Sequence, residues 1–210
     1  AEEELQAGCG DAFSQLQLFL NKHDTYIPGY FSYDLKNETE QLQSNNPDHL
    51  QFPQLYFFVP QNLILIKGNE VTISASNPSA VWEIINQILL PQNNQVGFKG
   101  KVSSRFSKDE YITVVKQFQQ HIQRGDIYEV NFCQEFFAEN TFIDPVEAFK
   151  ELNRISPTPF SNFFKIHDRY IISATPERFL SRRGNKLISQ PLKGTAKRSL
   201  DNVHEDEIAK

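Results

Sequence analysis

Methionine is absent from all 210 residues, position 1 included, and the chain ends in the polar "DNVHEDEIAK", which reads as the start of a helix with nothing to pack on. Both features create the expectation of an excised piece of a longer polypeptide. Cysteine is nearly absent too. Cys9 and Cys133 are far apart and lack metal-ligand spacing, so reduced thiols in a cytosolic protein are expected. No apolar run approaches the ~20 residues needed to cross a bilayer, and no charged-then-apolar leader opens the chain. The expected location is cytoplasmic, with no membrane partner. The net charge is −5, with 21 Lys and Arg spread along the chain, which argues against nucleic acid as a main partner. His23, His49, His121, His167 and His204 show no metal-ligand spacing. No glycine-rich phosphate loop, Ser-His-Asp grouping, repeat or low-complexity tract stands out. Asn37-Glu38-Thr39 spells a glycosylation sequon that has no secretion signal to give it meaning.

What is present is material for a core: 39% apolar residues, with 18 Phe and 7 Tyr. That is enough for one large domain or parts of two. Residues 11–21 predict an amphipathic helix with Phe13, Leu16 and Leu20 on one face. "IPGYFSYDL" predicts a strand entered through a Pro-Gly turn, and 36–53 a mobile surface loop. LYFFV, NLILIK and EVTISA predict three strands, the last two joined by a Lys67-Gly68-Asn69-Glu70 turn. Asn77-Pro78-Ser79 opens a helix to about Leu90. Ser107-Lys108-Asp109-Glu110 is a capping box, and Gly125 ends the helix it starts. The Arg124-Gly125-Asp126 adhesion tripeptide is therefore read as helix termination. Residues 127–137 predict a strand with Val130, Phe132 and Phe136 on one side. Asp144-Pro145 starts another helix, and strands follow at 160–166, 170–174, 177–182 and 186–193. Helices mixed with consecutive hairpins predict an α+β domain on antiparallel sheet.

One lysine raises a chemical question. In "QPLKGTAKR" (190–198), Lys193 lies between an apolar strand end and a Gly-Thr turn. At its ordinary pKa of ~10.4 a lysine is neutral in only about 0.04% of molecules at pH 7, so nucleophilic attack needs that pKa lowered by burial or a cationic neighbour. A carboxyl sharing the site would make an acid–base couple with it, and Glu177 is the candidate. A three-residue Arg183-Gly184-Asn185 loop sets Leu180 opposite Ile188 and Glu177 opposite Pro191. Lys193 then falls on the face of Glu177, roughly 7–8 Å away. A two-residue Gly184-Asn185 turn shifts the register by one and sends Lys193 to the other face. An ordinary cross-strand ion pair is the plain alternative. Gly194 and Thr195 are either a turn or an amide and a hydroxyl available to a ligand.

Four ordered stretches, "GDIYEVNFCQEF" (125–136), "PFSNFF" (159–164), "ATPERFL" (174–180) and "QPLKGTAKR" (190–198), resemble the chorismate-utilising enzymes. That family comprises the large components of anthranilate, aminodeoxychorismate and isochorismate synthases; "GYFSYDL" (29–35) is similar to its N-terminal region. The resemblance implies two facing antiparallel β-sheets with helices outside. It places 1–95 on a regulatory side and 107–210 as the first half of the chorismate-binding domain, while the linker-like composition of "PQNNQVGFKGKVSSRF" makes 96–106 the expected linker. Lysine at 193, where anthranilate and isochorismate synthases usually carry alanine, resembles the aminodeoxychorismate synthase branch, on the route to 4-aminobenzoate and folate. It implies that Lys193 attacks the chorismate ring, that Glu177 is the general acid/base, and that Gly194 and Thr195 bind substrate. It also implies ammonia from a glutamine amidotransferase subunit, and Mg2+ whose ligands belong to motifs beyond Lys210. Pro159, Phe160 and Ser161 match a loop that in relatives helps line a tryptophan pocket; an X-Pro strand entry with Phe160 in the core is the plain reading. Glu129 and Thr175 depart from the commoner Gln and Ser. The readings left standing are that enzyme, another chorismate enzyme such as anthranilate or isochorismate synthase, and a non-catalytic chorismate- or tryptophan-binding module.

Overall fold

The computed structural model describes residues 1–8, 10–88 and 98–192. The chain divides into two compact units, Ala1–Gln92 and Asn93–Lys210.

In the first unit, strand β1 (Glu3–Ala7) precedes helix α1 (Ala12–Lys22), and β2 (Gly29–Phe31) leads into a 3-10 turn over Tyr33–Glu38. Strand β3 (Leu55–Val59) pairs antiparallel with β1 on one side and β2 on the other. Its apolar LYFFV run suits this central place, since such a strand buries both faces. Leu55 is fully buried, clustered with Ala7, Ala12, Leu16 and Leu35. α1 therefore turns Ala12, Leu16 and Phe19 inward. Of the face expected from the sequence only Leu16 is buried; Phe13 and Leu20 are about two-fifths exposed. "LQLFL" offers apolar residues to nearly every side, and contact with β1 and the 3-10 turn chooses among them. Asp11 gives α1 no side-chain cap. Instead Glu38 reaches back across the sequence: its Oε1 accepts from the N–H groups of Gly10 (2.7 Å) and Ala12 (2.9 Å). A carboxylate there satisfies orphan donors and the positive end of the helix dipole, and these bonds, Ala12's foremost, hold its pKa below the ordinary range. The "GYFSYDL" strand thus ends at Phe31, and the expected 36–53 loop opens inside the 3-10 turn.

β4 (Asn62–Lys67) and β5 (Glu70–Ala75) form the expected hairpin, with Lys67 paired to Glu70. α2 (Pro78–Gln87) follows, capped by the Asn77 side chain accepting from Ala80 N–H at 3.1 Å.

In the second unit, β6 (Ser103–Ser104) pairs antiparallel with β7 (Phe136–Phe137). Between them α3 (Lys108–Arg124) carries the full capping box and ends at Gly125, whose φ of 81° suits a residue without Cβ. Asp126 accepts from the guanidinium of Arg124 and lies 2.7 Å from His121 Nδ1, so the tripeptide is spent on closing the helix. The strand expected over 127–137 forms only at its end. Phe132 leaves the ladder to sit among Phe106, Tyr111 and Phe118, with ring centroids 4.9–5.5 Å away. α4 (Pro145–Ile155) is capped by Asp144, which accepts from the N–H groups of Val146 and Glu147. Two hairpins follow: β8 (Asn162–Ile166) with β9 (Arg169–Ser173), and β10 (Arg178–Arg183) with β11 (Lys186–Gln190). Among the described residues the strands make one three-stranded and four two-stranded sheets, with every pairing antiparallel. No helix among the described residues is long and apolar enough to cross a membrane.

Candidate active site

The β10–β11 hairpin carries the candidate carboxyl, and its register departs from expectation in an informative way. Arg183 pairs with Lys186, so the turn is the two-residue Gly184-Asn185, with Gly184 at φ 60°. Such a turn needs positive φ, which glycine supplies without strain. Ser181, not Leu180, therefore faces Ile188. Alone, this register would place Glu177 one step away from Pro191. A β-bulge between Arg178 and Ser181 removes the slip, because two residues on β10, Phe179 and Leu180, oppose only Ser189 on β11. Beyond it Arg178 pairs with Gln190. The register expected at Arg178 and Gln190 is thus reached by a different device from the three-residue loop.

Glu177 itself lies just before β10 and is exposed. Its Oε1 accepts from Leu192 N–H at 3.0 Å, and its own N–H donates to Thr175 Oγ1 at 3.2 Å. The carboxyl is therefore tied to the backbone residue that precedes Lys193 in sequence. Lys193, Gly194 and Thr195 lie outside the described residues.

Pro159, Phe160 and Ser161 sit in the turn before β8. Ser161 Oγ bonds the Thr158 carbonyl at 3.0 Å and lies 3.1 Å from Thr158 Oγ1. Phe160 N–H donates to the Thr175 carbonyl at 3.2 Å. The Arg178 guanidinium lies over the Phe160 ring, 5.0 Å from its centroid. The structure thus brings Phe160 together with the Glu177 turn. Sequence reasoning did not assign Arg178 a part. Its place beside Glu177 was a signal, but the ring it covers lies eighteen positions earlier. Glu129 is exposed, on the irregular segment after α3. Magnesium takes several oxygen ligands, and among the described residues no group of three or more His, Cys, Asp or Glu side chains could hold a metal ion. The described residues do not fit that ion.

The family described as chorismate binding enzyme matches residues 2–210, and the chain belongs to it. An anthranilate synthase component I-like protein of Synechocystis is 26% identical over 189 residues, covering 85% of this chain and 38% of that protein. Aminodeoxychorismate synthase component 1 of Klebsiella aerogenes is 28% identical over 176 residues, covering 82% of this chain and 39% of that protein. The crystal structure of anthranilate synthase component I from Streptococcus pneumoniae superposes with a TM-score of 0.65 at 18% identity, covering 77% of this chain and 40% of that one. That likeness establishes a related α+β fold. The chain spans about two-fifths of the length of the curated relatives it matches. Relatives named for both reactions match at similar identity, so identity does not choose between the branches.

Proposed function

We propose that the chain carries part of the active site of a chorismate-utilising enzyme, and that its reaction is amination of chorismate to 4-amino-4-deoxychorismate. The observation that supports this reading is the bond from Leu192 N–H to Glu177 Oε1, which ties the carboxyl to the residue that precedes, in sequence, a lysine standing where anthranilate and isochorismate synthases usually carry alanine. In the proposed reaction the neutral Lys193 amine bonds to ring C2, the diene electrons shift, and the C4 hydroxyl leaves as water with a proton from Glu177. Ammonia then bonds to C4, the electrons shift back, and the lysine amine is expelled. Glu177 carries protons between the two steps, and the covalent route divides one hard substitution into two easier ones. The ammonia is proposed to come from a glutamine amidotransferase subunit. The facing-sheet arrangement, magnesium, the substrate contacts of Gly194 and Thr195, a tryptophan site at Pro159–Ser161 and a cytoplasmic location belong to the same proposal.

A second reading, anthranilate synthesis, is favoured by the names of several relatives and of the matching structure. Two measurements on the intact enzyme separate them. Incubation with chorismate and no ammonia should leave a mass adduct on Lys193. Lys193→Ala should abolish 4-amino-4-deoxychorismate formation; undiminished formation with ammonium would remove covalent catalysis, and anthranilate as the product would install the second reading.

A further inference from the structure

Glu177 is exposed, yet a general acid must be held within a fraction of an ångström of its working position. Among the described residues, its own bonds fix its N–H and one carboxylate oxygen. The turn that bears it is anchored on both sides to a single residue. Upstream, the Thr175 carbonyl accepts from Phe160 N–H at 3.2 Å. Downstream, the Arg178 guanidinium lies 5.0 Å from the centroid of the Phe160 ring, while the Arg178 backbone pairs with Gln190 on β11. Thr175 also returns its hydroxyl to Glu177 N–H. Two flanks held by one aromatic residue leave Glu177 little room to swing, and the bulge after Arg178 starts where this hold ends.

We propose that Phe160 is a positioning residue for the Glu177 carboxyl, acting through Thr175 and Arg178. The clamp takes the backbone N–H and the ring face of one residue, so a side chain without a ring keeps the first hold and loses the second. This inference rests on the proposed role of Glu177, and its test has one arm that does not.

In the intact enzyme, Phe160→Leu should lower kcat about tenfold while KM for chorismate stays within about twofold, because misplacing a catalytic group costs rate before binding. Phe160→Tyr, which keeps the ring, should restore the rate, and Arg178→Gln should repeat the Phe160→Leu loss. Added to Glu177→Gln, Phe160→Leu should cost nothing more, since residues that act as a unit are not additive. The independent arm is hydrogen exchange at the Leu192 amide without substrate, which should quicken in Phe160→Leu and Arg178→Gln but not in Phe160→Tyr. Unchanged exchange at Leu192 overturns the clamp whatever the activity. Losses that multiply in the double variant, or a raised KM at constant kcat, overturn the positioning role. A wild-type enzyme that leaves chorismate untouched sinks the functional reading, and the exchange arm then decides the clamp alone.

Discussion

Glu38 shows how much one side chain does that local sequence does not announce. It lies 26 residues from the helix amide it caps, and a sequon reading of Asn37-Glu38-Thr39 points elsewhere. Because the cap holds its pKa below the ordinary carboxylate range, its stabilisation is complete above the unfolded-state pKa and is lost as pH falls through the folded one. Thermal melts should show wild type above Glu38→Gln at pH 7, with the gap closing on acidification toward and below the usual carboxylate range; a gap independent of pH would refute the assignment. In the candidate site, Glu177 was singled out because "ATPERFL" resembles a family motif. The Arg178–Phe160 contact was not, since a cation over a ring leaves no periodicity or spacing to find.

Elements defined by their own neighbours were the legible ones. The capping box of α3 and the Pro145 start of α4 act within four residues, and both helices begin where expected. The 127–137 strand failed for the opposite reason. Alternating side chains specify a strand only when a partner supplies the ladder, and three aromatic rings claim Phe132 instead. The bulge in β10 was hidden in the same way, because two residues opposing one is a property of the pair of strands. It has a direct test. Deleting Leu180 should let β10 and β11 pair without interruption, with Arg178 still opposite Gln190 and Glu177 on its present face. We expect turnover within about tenfold of wild type, with the melting temperature little changed. A loss of about a hundredfold or more, as for removal of a general acid–base group, would show that the bulge itself aims Glu177.

Across the whole chain, burial is uneven. Among the described residues the buried hydrophobics are all in the first unit except Ile166, while the second unit has ring clusters such as half-buried Phe149 and Phe163 with the exposed Tyr170. Leu55→Ala should therefore cost about 2–5 kcal/mol, read as a lower denaturation midpoint for the unit formed by β1, α1, β2 and β3. An unaffected midpoint would mean that the Leu55 cluster is not its core. The Glu38 cap adds a temporal consequence for the same unit. A ribosome adding about 5–20 residues per second delivers Ala12 roughly 1–5 s before the carboxylate that completes its helix. On the nascent chain α1 must wait, uncapped, for a residue not yet translated.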